Sequence, residues 1–148
     1  MRYSSRKTLL ALIALAALGA CSRTSASDDG VANHPATVEQ IAGSEGARVT
    51  LTDQATKRIG LETAVVKDAP GGLVARLTMP NAAVLYDPTG RTWAYVSFAG
   101  GSYVRTPITV DHVSGSDAFL SEGPPSGSNV VTTGAQELYG AESTFGES

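Results

Sequence analysis

Short runs of apolar residues alternate with clusters of Gly, Pro, Asp and Asn along the chain from residue 48 onward. Runs of this length, bounded by turn-forming residues, are typical of β-strands. The predicted strands span residues 48–51, 61–66, 73–78, 82–86, 92–98, 102–110, 118–121 and 129–133. Many short strands with little helix predict an all-β fold, a small antiparallel β-barrel or β-sandwich.

The strongest local signal is the turn Asp87-Pro88-Thr89-Gly90 between two of these strands. Asp at the first position, Pro at the second and Gly at the fourth match a type I turn. Residues 82–86 and 92–98 are therefore predicted to form a hairpin. Because residues 92–98 are apolar at both odd and even positions, that strand is predicted to lie centrally in its sheet.

The run 102–110 shows the alternation expected of a half-buried strand. Apolar residues, among them Val104 and Val110, share one predicted face. Tyr103 and Arg105 lie on the opposite and more polar face, which makes them candidates for a contact surface. Tyr and Arg are both enriched among the residues that dominate protein–protein binding energy.

One short helix is predicted over residues 53–59, near the start of the ordered chain. Thr52 supplies the N-cap hydroxyl, Asp53 the acidic first turn and Gly60 the C-terminal stop. Residues 135–139 have the pattern of one further helical turn. Helix therefore contributes little to the predicted domain.

The first residues of the chain carry three cations, Arg2, Arg6 and Lys7, followed by an apolar run at 8–18. Small residues then precede Cys21. The apolar run is shorter than the roughly 20 residues that span a bilayer, so this order predicts a secretory signal peptide. Its end resembles a bacterial lipobox, which implies lipidation of Cys21. An ordinary signal peptide with a chance cysteine is the alternative.

The segment 22–46 is rich in Ser, Ala, Gly, Asp and Thr. It contains too little apolar surface to offset the entropy of ordering, which predicts a flexible tether with at most a weak helical turn at 38–42. The predicted organisation is a signal peptide at 1–21, this tether, a β-domain at 47–142 and a frayed C-terminus at 143–148.

The formal net charge of −3 becomes more negative once the cations of the signal peptide are removed. An acidic chain without a basic stripe argues against nucleic-acid binding. Cys21 is the only cysteine, so a lipidated chain forms no disulfide, and its stability must come from packed apolar surface.

Residues that could support catalysis or metal binding are few and scattered. His34 lies in the predicted tether, and His112 beside Asp111 has the pattern of a solvated histidine at a strand end rather than of a metal ligand. Met79 is predicted to pack in the core. The Gly-Gly pairs do not open onto a helix with Lys, and no serine lies in a Gly-x-Ser-x-Gly motif. The sequence therefore predicts a non-enzymatic protein without catalytic residues, metal ligands or a cofactor.

Several motifs occur in a fixed order through the predicted β-domain. They are PNAAVLYD at 80–87, GRTWAYV at 90–96, YVRTPITV at 103–110, EG at 122–123, GSNVVTTGA at 127–135 and ELY at 137–139. In this order they resemble the membrane-proximal domain of periplasmic adaptor subunits (membrane fusion proteins) of resistance-nodulation-division efflux pumps, and the heavy-metal exporter branch is the most similar.

An earlier stretch, from VTLT at 49–52 to IGLET at 59–63, is similar to the opening of the mature adaptors. In full-length adaptors, a β-barrel domain, a lipoyl-like domain and a coiled-coil hairpin separate this opening from the later motifs. Here only residues 65–78 lie between them. The resemblance therefore implies a membrane-proximal domain that stands alone, with the two stretches packed into one β unit.

The resemblance implies a non-enzymatic accessory lipoprotein, anchored through Cys21 outside the cytoplasm, that docks on an efflux transporter in the inner or cytoplasmic membrane. The expected contact residues are Asp87 and Arg91 at the hairpin tip, and Tyr103 and Arg105 on the polar face. Two other functions stay open: a ligand-binding or sensory envelope lipoprotein, which needs an apolar cavity, and a structural envelope protein.

Overall fold

The computed structural model of the protein describes residues 34–69 and 76–145. The predicted signal peptide with Cys21, and the predicted tether before residue 34, lie outside these residues. Within the two described ranges, no helix combines the length and the apolar character that crossing a bilayer requires.

Strands dominate both described ranges. The first range contains β1 (Ala36–Gln40), β2 (Ala47–Leu51), helix α1 (Asp53–Ile59), β3 (Glu62–Val65) and β4 (Lys67–Asp68). The second contains β5 (Leu77–Pro80), a 3-10 turn (Asn81–Ala83), β6 (Leu85–Tyr86), β7 (Thr92–Phe98), β8 (Ser102–Pro107), β9 (Thr109–Ser114), β10 (Asp117–Glu122), β11 (Asn129–Thr133) and helix α2 (Ala135–Phe145).

The strands form two sheets in which every pair is antiparallel. The seven-stranded sheet has the order β1-β2-β8-β7-β11-β3, and β6 pairs with β7 beside this path. The four-stranded sheet has the order β4-β5-β10-β9. The prediction of an all-β antiparallel fold is confirmed, and among the described strands neither sheet closes into a barrel.

Two apolar clusters lie on opposite faces of the larger sheet. One cluster joins both sheets and consists of Val66, Met79, Ala83, Ala94, Val96, Ile108, Ala118, Leu120 and Val130. The other joins the larger sheet to the two helices and consists of Val49, Leu51, Ala55, Leu85, Trp93, Tyr95, Tyr103, Val131 and Leu138. Strand β7 contributes to both clusters, which confirms the prediction that it lies centrally.

The local signals around helix α1 are confirmed at both ends. The Thr52 hydroxyl accepts a hydrogen bond from the Ala55 amide at 3.2 Å, which satisfies one of the free amides of the first turn. Gly60 ends the helix in the left-handed region at φ 63°, a conformation that costs glycine little. Ala55 is buried against β2 and fixes the face that the helix presents to the core.

The two stretches that resemble the ends of an adaptor pair within one sheet. Strand β2 aligns Val49 with Tyr103 of β8, and strand β3 aligns Ala64 with Val130 of β11. The prediction that these stretches form one β unit is confirmed.

The prediction that 22–46 is a flexible tether is wrong for the residues of β1. This strand pairs along its full length with β2, from Ala36 opposite Leu51 to Gln40 opposite Ala47. The weak helical turn predicted at 38–42 is therefore replaced by a strand. Pairing with the next strand supplies the ordering energy that the segment lacks by itself.

The C-terminal helix is longer than the single predicted turn. Helix α2 has 11 residues and continues to Phe145, through the first residues that were predicted to be frayed. Two anchors hold it: Leu138 is buried in the helix-side cluster, and Glu142 is bound by Arg105. These contacts stabilise a helix with little intrinsic helical signal.

Three strand predictions need correction. Of the strand predicted at 73–78, residues 73–75 lie outside the described residues, and β5 begins at Leu77. The first hairpin strand is limited to Leu85–Tyr86, because residues 81–83 form a 3-10 turn. The run 102–110 divides at Ile108 between β8 and β9, which belong to different sheets. The Ile108 amide bonds the Thr92 carbonyl at 3.0 Å, and its side chain is buried between the sheets, so the chain passes from one sheet to the other there.

Candidate partner-binding site

Asp87 organises the hairpin turn through five hydrogen bonds. Its Oδ1 accepts bonds from the Thr89 amide at 2.9 Å, the Thr89 hydroxyl at 2.6 Å and the Arg91 amide at 3.0 Å. Its Oδ2 accepts bonds from Arg91 Nε and Trp93 Nε1, both at 3.0 Å. The Asp87 side chain is only 5% exposed, so its carboxylate stabilises the turn from a buried position.

These bonds fix the charge state of the turn. The bond from the Thr89 hydroxyl, together with those from the Trp93 indole and the backbone, outweighs burial and holds the pKa of Asp87 well below its ordinary value. Bonds to Asp87 and Glu45 raise the pKa of Arg91. The hairpin therefore presents a permanent cation beside an inward-facing carboxylate.

Replacing Asp87 by asparagine is expected to remove part of the acid sensitivity of the fold. The pKa of Asp87 in the folded chain lies below the value of about 3.9 that applies to the unfolded chain. Between these values the unfolded chain binds more protons, so the free energy of unfolding falls as the pH falls below about 4. Urea unfolding measured at pH 7 and at pH 3 should show a smaller decline in the free energy of unfolding for Asp87→Asn than for the wild type.

The control for this experiment is Asp117→Asn, which removes an exposed carboxylate of β10. Between pH 7 and pH 3, the free energy of unfolding of this variant should fall as much as that of the wild type. Equal declines for Asp87→Asn and the wild type would contradict the role given to Asp87.

A second set of contacts joins Glu142 of α2 to β8. Arg105 Nη2 lies 2.8 Å from Glu142 Oε1, and their side chains are only 12% and 7% exposed. The Tyr95 hydroxyl donates to Glu142 Oε2 at 2.6 Å, and the Ala47 amide donates to Oε1 at 3.3 Å. Arg105 Nη2 also donates to the Glu45 carbonyl at 3.0 Å. Residues from three distant parts of the sequence therefore meet at one guanidinium.

Burial is the main cause that raises the pKa of Tyr95 far above its ordinary value, followed by the hydrogen bond to Glu142. The phenol therefore keeps its proton and remains a donor to that carboxylate.

The Trp93 ring connects the two sets of contacts. The Arg105 guanidinium carbon lies 4.2 Å from the ring centroid, and that of Arg91 lies 4.9 Å from it. Both distances are within the range of cation–π attraction. We call the whole set the Trp93 network; its members are Glu45, Asp87, Arg91, Trp93, Tyr95, Arg105 and Glu142.

The structure brings three of the four predicted contact residues, Asp87, Arg91 and Arg105, into this network. The expectation that Tyr103 is exposed on a polar face is wrong, since it is 4% exposed in the helix-side cluster. The register explains the error: Arg105 lies opposite Tyr95, so that face of β8 is the one covered by α2. Trp93 and Tyr95 are fully buried in the same cluster.

An open groove of about 470 Å³ runs beside the hairpin. Tyr86 is 60% exposed at this groove, and the side chains of Arg91 and Glu45 are 52% and 71% exposed. Arg91 Nη1 donates a hydrogen bond to Glu45 Oε2 at 3.0 Å, and Pro107 also lines the groove. We call this surface the hairpin groove. The groove presents the aromatic ring of Tyr86 together with the guanidinium of Arg91, which Asp87 and Glu45 orient.

Sequence reasoning missed Tyr86 and Glu45. For Tyr86 a sequence signal existed, because successive residues of a strand face opposite sides and the neighbouring Leu85 is the more apolar residue. For Glu45 no local signal existed, since its position depends on Arg91, which lies 46 residues away.

His112 lies on an exposed part of the second sheet. Its Nδ1 lies 3.0 Å from Asp111 Oδ2, and its ring stacks on Phe119 with centroids 4.6 Å apart. Arg76 also contacts Asp111 at 2.9 Å. Among residues 34–69 and 76–145, no group of three His, Cys, Asp or Glu side chains converges in a way that could hold a metal. Met79 packs in the core, as predicted.

No protein-family model matches the chain, and a comparison with curated proteins gives no match. Among solved structures, the chain is similar to an NMR structure of 180 residues that encompasses the N-terminal metal-binding site and the membrane-proximal domain of SilB from Cupriavidus metallidurans CH34. The two are 28% identical with a TM-score of 0.44, over 52% of this chain and 42% of the other. This chain therefore spans less than half of that structure.

Proposed function

We propose that this chain is a non-enzymatic, lipid-anchored accessory subunit of a resistance-nodulation-division-type efflux transporter, and that it docks on the transporter through the hairpin groove. One observation carries the proposal. The two stretches that resemble the ends of an adaptor chain pair within one sheet, β2 with β8 and β3 with β11. The motifs are thus not only present in order but joined in space.

The hairpin groove is the docking surface in this proposal because its side chains are exposed and held in place. Tyr86 offers a large amphipathic ring, and Arg91 offers a guanidinium that Asp87 and Glu45 already orient. Tyr and Arg are both enriched among the residues at the energetic centre of interfaces. An arginine that is ordered before binding also loses less entropy when a partner contacts it.

Lipidated Cys21 supplies the membrane anchor in this proposal. Cys21 and Pro35 are 14 residues apart in the sequence, so even a fully extended chain keeps them within about 50 Å of each other. The β-domain therefore works close to the lipid surface, outside the cytoplasm, where a transporter of this class exposes its extracytoplasmic part.

The docking prediction is that Arg91→Glu lowers recovery of the transporter about tenfold, since a charge-assisted contact is worth roughly that factor. The full chain is cross-linked in its own membranes, purified, and the captured proteins are identified by mass spectrometry. Tyr86→Ala should lower the recovery to a similar extent. Lys57→Glu, an exposed charge reversal on α1 away from the groove, should leave it unchanged.

Thermal unfolding of each variant separates loss of docking from loss of folding. If the wild-type chain captures no transporter, the proposed function is wrong. If Arg91→Glu and Tyr86→Ala capture as much transporter as the wild type, the hairpin groove is not the docking surface. A Cys21→Ser variant tests the anchor separately, by its release from the membrane fraction.

The second candidate function, a ligand-binding envelope lipoprotein, is favoured by a different observation. The described domain contains an apolar cleft between its two helices, of about 250 Å³.

A further inference from the structure

The cleft lies between α1, α2 and the first residues of the larger sheet, on a different surface from the hairpin groove. Its wall is almost entirely apolar and includes Leu51, Ala55, Ile59, Leu138 and Ala141. We call it the helix cleft. Its volume of about 250 Å³ corresponds to about eight water molecules at ~30 Å³ each, which is enough for a stretch of aliphatic chain.

Two charged residues, Arg58 of α1 and Glu137 of α2, also line the helix cleft. An adjoining recess of about 140 Å³ shares Arg58 with the cleft and adds the polar side chains of Thr52 and Gln54. Glu137 does not line this recess. Within residues 34–69 and 76–145, Arg58 has no ion-pair partner. The cleft thus adjoins a polar recess, and the guanidinium of Arg58 lines both.

We propose that the helix cleft binds a single-chain anionic amphiphile of the membrane, such as a fatty acid. The aliphatic chain lies in the apolar cleft, and the carboxylate lies in the recess beside Arg58. Glu137 repels an anionic head from the α2 side, so the polarity of the site fixes the direction of the ligand. This inference does not depend on the proposed docking function.

The segment that precedes the cleft in the sequence does not have the composition to fill it. The chain reaches the cleft at Pro35, and between residues 22 and 33 the only large aliphatic residue is Val31. Residues 22–33 therefore do not supply an apolar occupant, whereas any membrane supplies fatty acids and related amphiphiles.

The first test uses the full chain reconstituted in phosphatidylcholine nanodiscs and a decanoic acid that carries a photoreactive diazirine at its chain end. Irradiation should attach the probe to peptides of α1 and α2. Excess decanoate should suppress the adduct, whereas decyltrimethylammonium, with the opposite head charge, should not. Arg58→Gln should reduce the adduct about tenfold, and Lys57→Gln, its exposed neighbour on the same helix, should not.

A second pair of variants tests the cleft itself. Ala141→Leu fills the cleft and should abolish the adduct, while Ala82→Leu adds the same side chain at an exposed position and should not. Glu137→Gln removes the repelling charge and should increase the adduct, which keeps the test informative if Ala141→Leu fails to fold.

Three labelling results would overturn the inference: adducts only outside α1 and α2, an adduct that Arg58→Gln leaves unchanged, or one that survives in folded Ala141→Leu. Self-association of the chain that Ala141→Leu abolishes would assign the cleft to a second copy and would also overturn it.

Discussion

Replacing Glu142 by alanine is expected to lower the free energy of unfolding by about 3–5 kcal/mol, the usual cost of removing one partner of a buried ion pair. Arg105 would remain as a mostly buried cation without its carboxylate, and the Tyr95 hydroxyl would lose its acceptor. The same change releases α2 from β8 and from the Ala47 amide. Urea unfolding followed by circular dichroism measures the loss.

Two further variants show where that loss comes from. Ser143→Ala alters the exposed neighbour of Glu142 on the same helix and should change stability by less than about 0.5 kcal/mol. The double variant Glu142→Ala/Arg105→Met should lose less than Glu142→Ala alone, because it leaves no unpaired charge. A loss below about 1 kcal/mol for Glu142→Ala would show that the pair does not hold the helix.

Replacing Gly46 by alanine is expected to lower the free energy of unfolding by about 3 kcal/mol, at the upper end of the usual cost of overpacking. A Cβ at this buried position would overlap the carbonyl oxygen of Arg105, which is backbone and cannot rotate away. Residues 45–47 would have to move, and the contacts of Glu45 with Arg91 and Arg105 would be lost with them. Thermal and urea unfolding measure the effect.

Gly140→Ala is the matched control, since nothing lies within 4 Å of a Cβ at this helical position. It should raise the free energy of unfolding by about 0.5–1 kcal/mol, because alanine loses less entropy than glycine in a helix. Equal stabilities of Gly46→Ala and the wild type would mean that the segment before β2 adapts freely.

The features that the sequence predicted well are those fixed by neighbouring residues. The cap and stop of α1 depend on Thr52 and Gly60, which lie next to the helix they bound. The hairpin turn depends on Asp87 and on Gly90, which takes φ 82°. In each case the side chain that decides the structure is within a few positions of the backbone it controls.

The features that the sequence did not predict depend on contacts with another strand or helix. Strand β1 forms because β2 offers a free edge, and α2 extends because Glu142 meets Arg105 of β8, 37 residues earlier. The position of Tyr103 follows from the register of β7 and β8 and from the helix laid over them. No local pattern in the sequence contains the register or the position of the helix. Tyr103 was therefore predicted to be exposed, because it shares a strand face with the charged residue Arg105.

The contacts of two arginines with Trp93, the single tryptophan of the chain, have a practical consequence. Its indole is 1% exposed and touches two guanidinium groups that belong to different ion pairs. Its intrinsic fluorescence is therefore a label-free optical reporter of both pairs at once. Any event that loosens the hairpin or lifts the C-terminal helix should register as a change in emission.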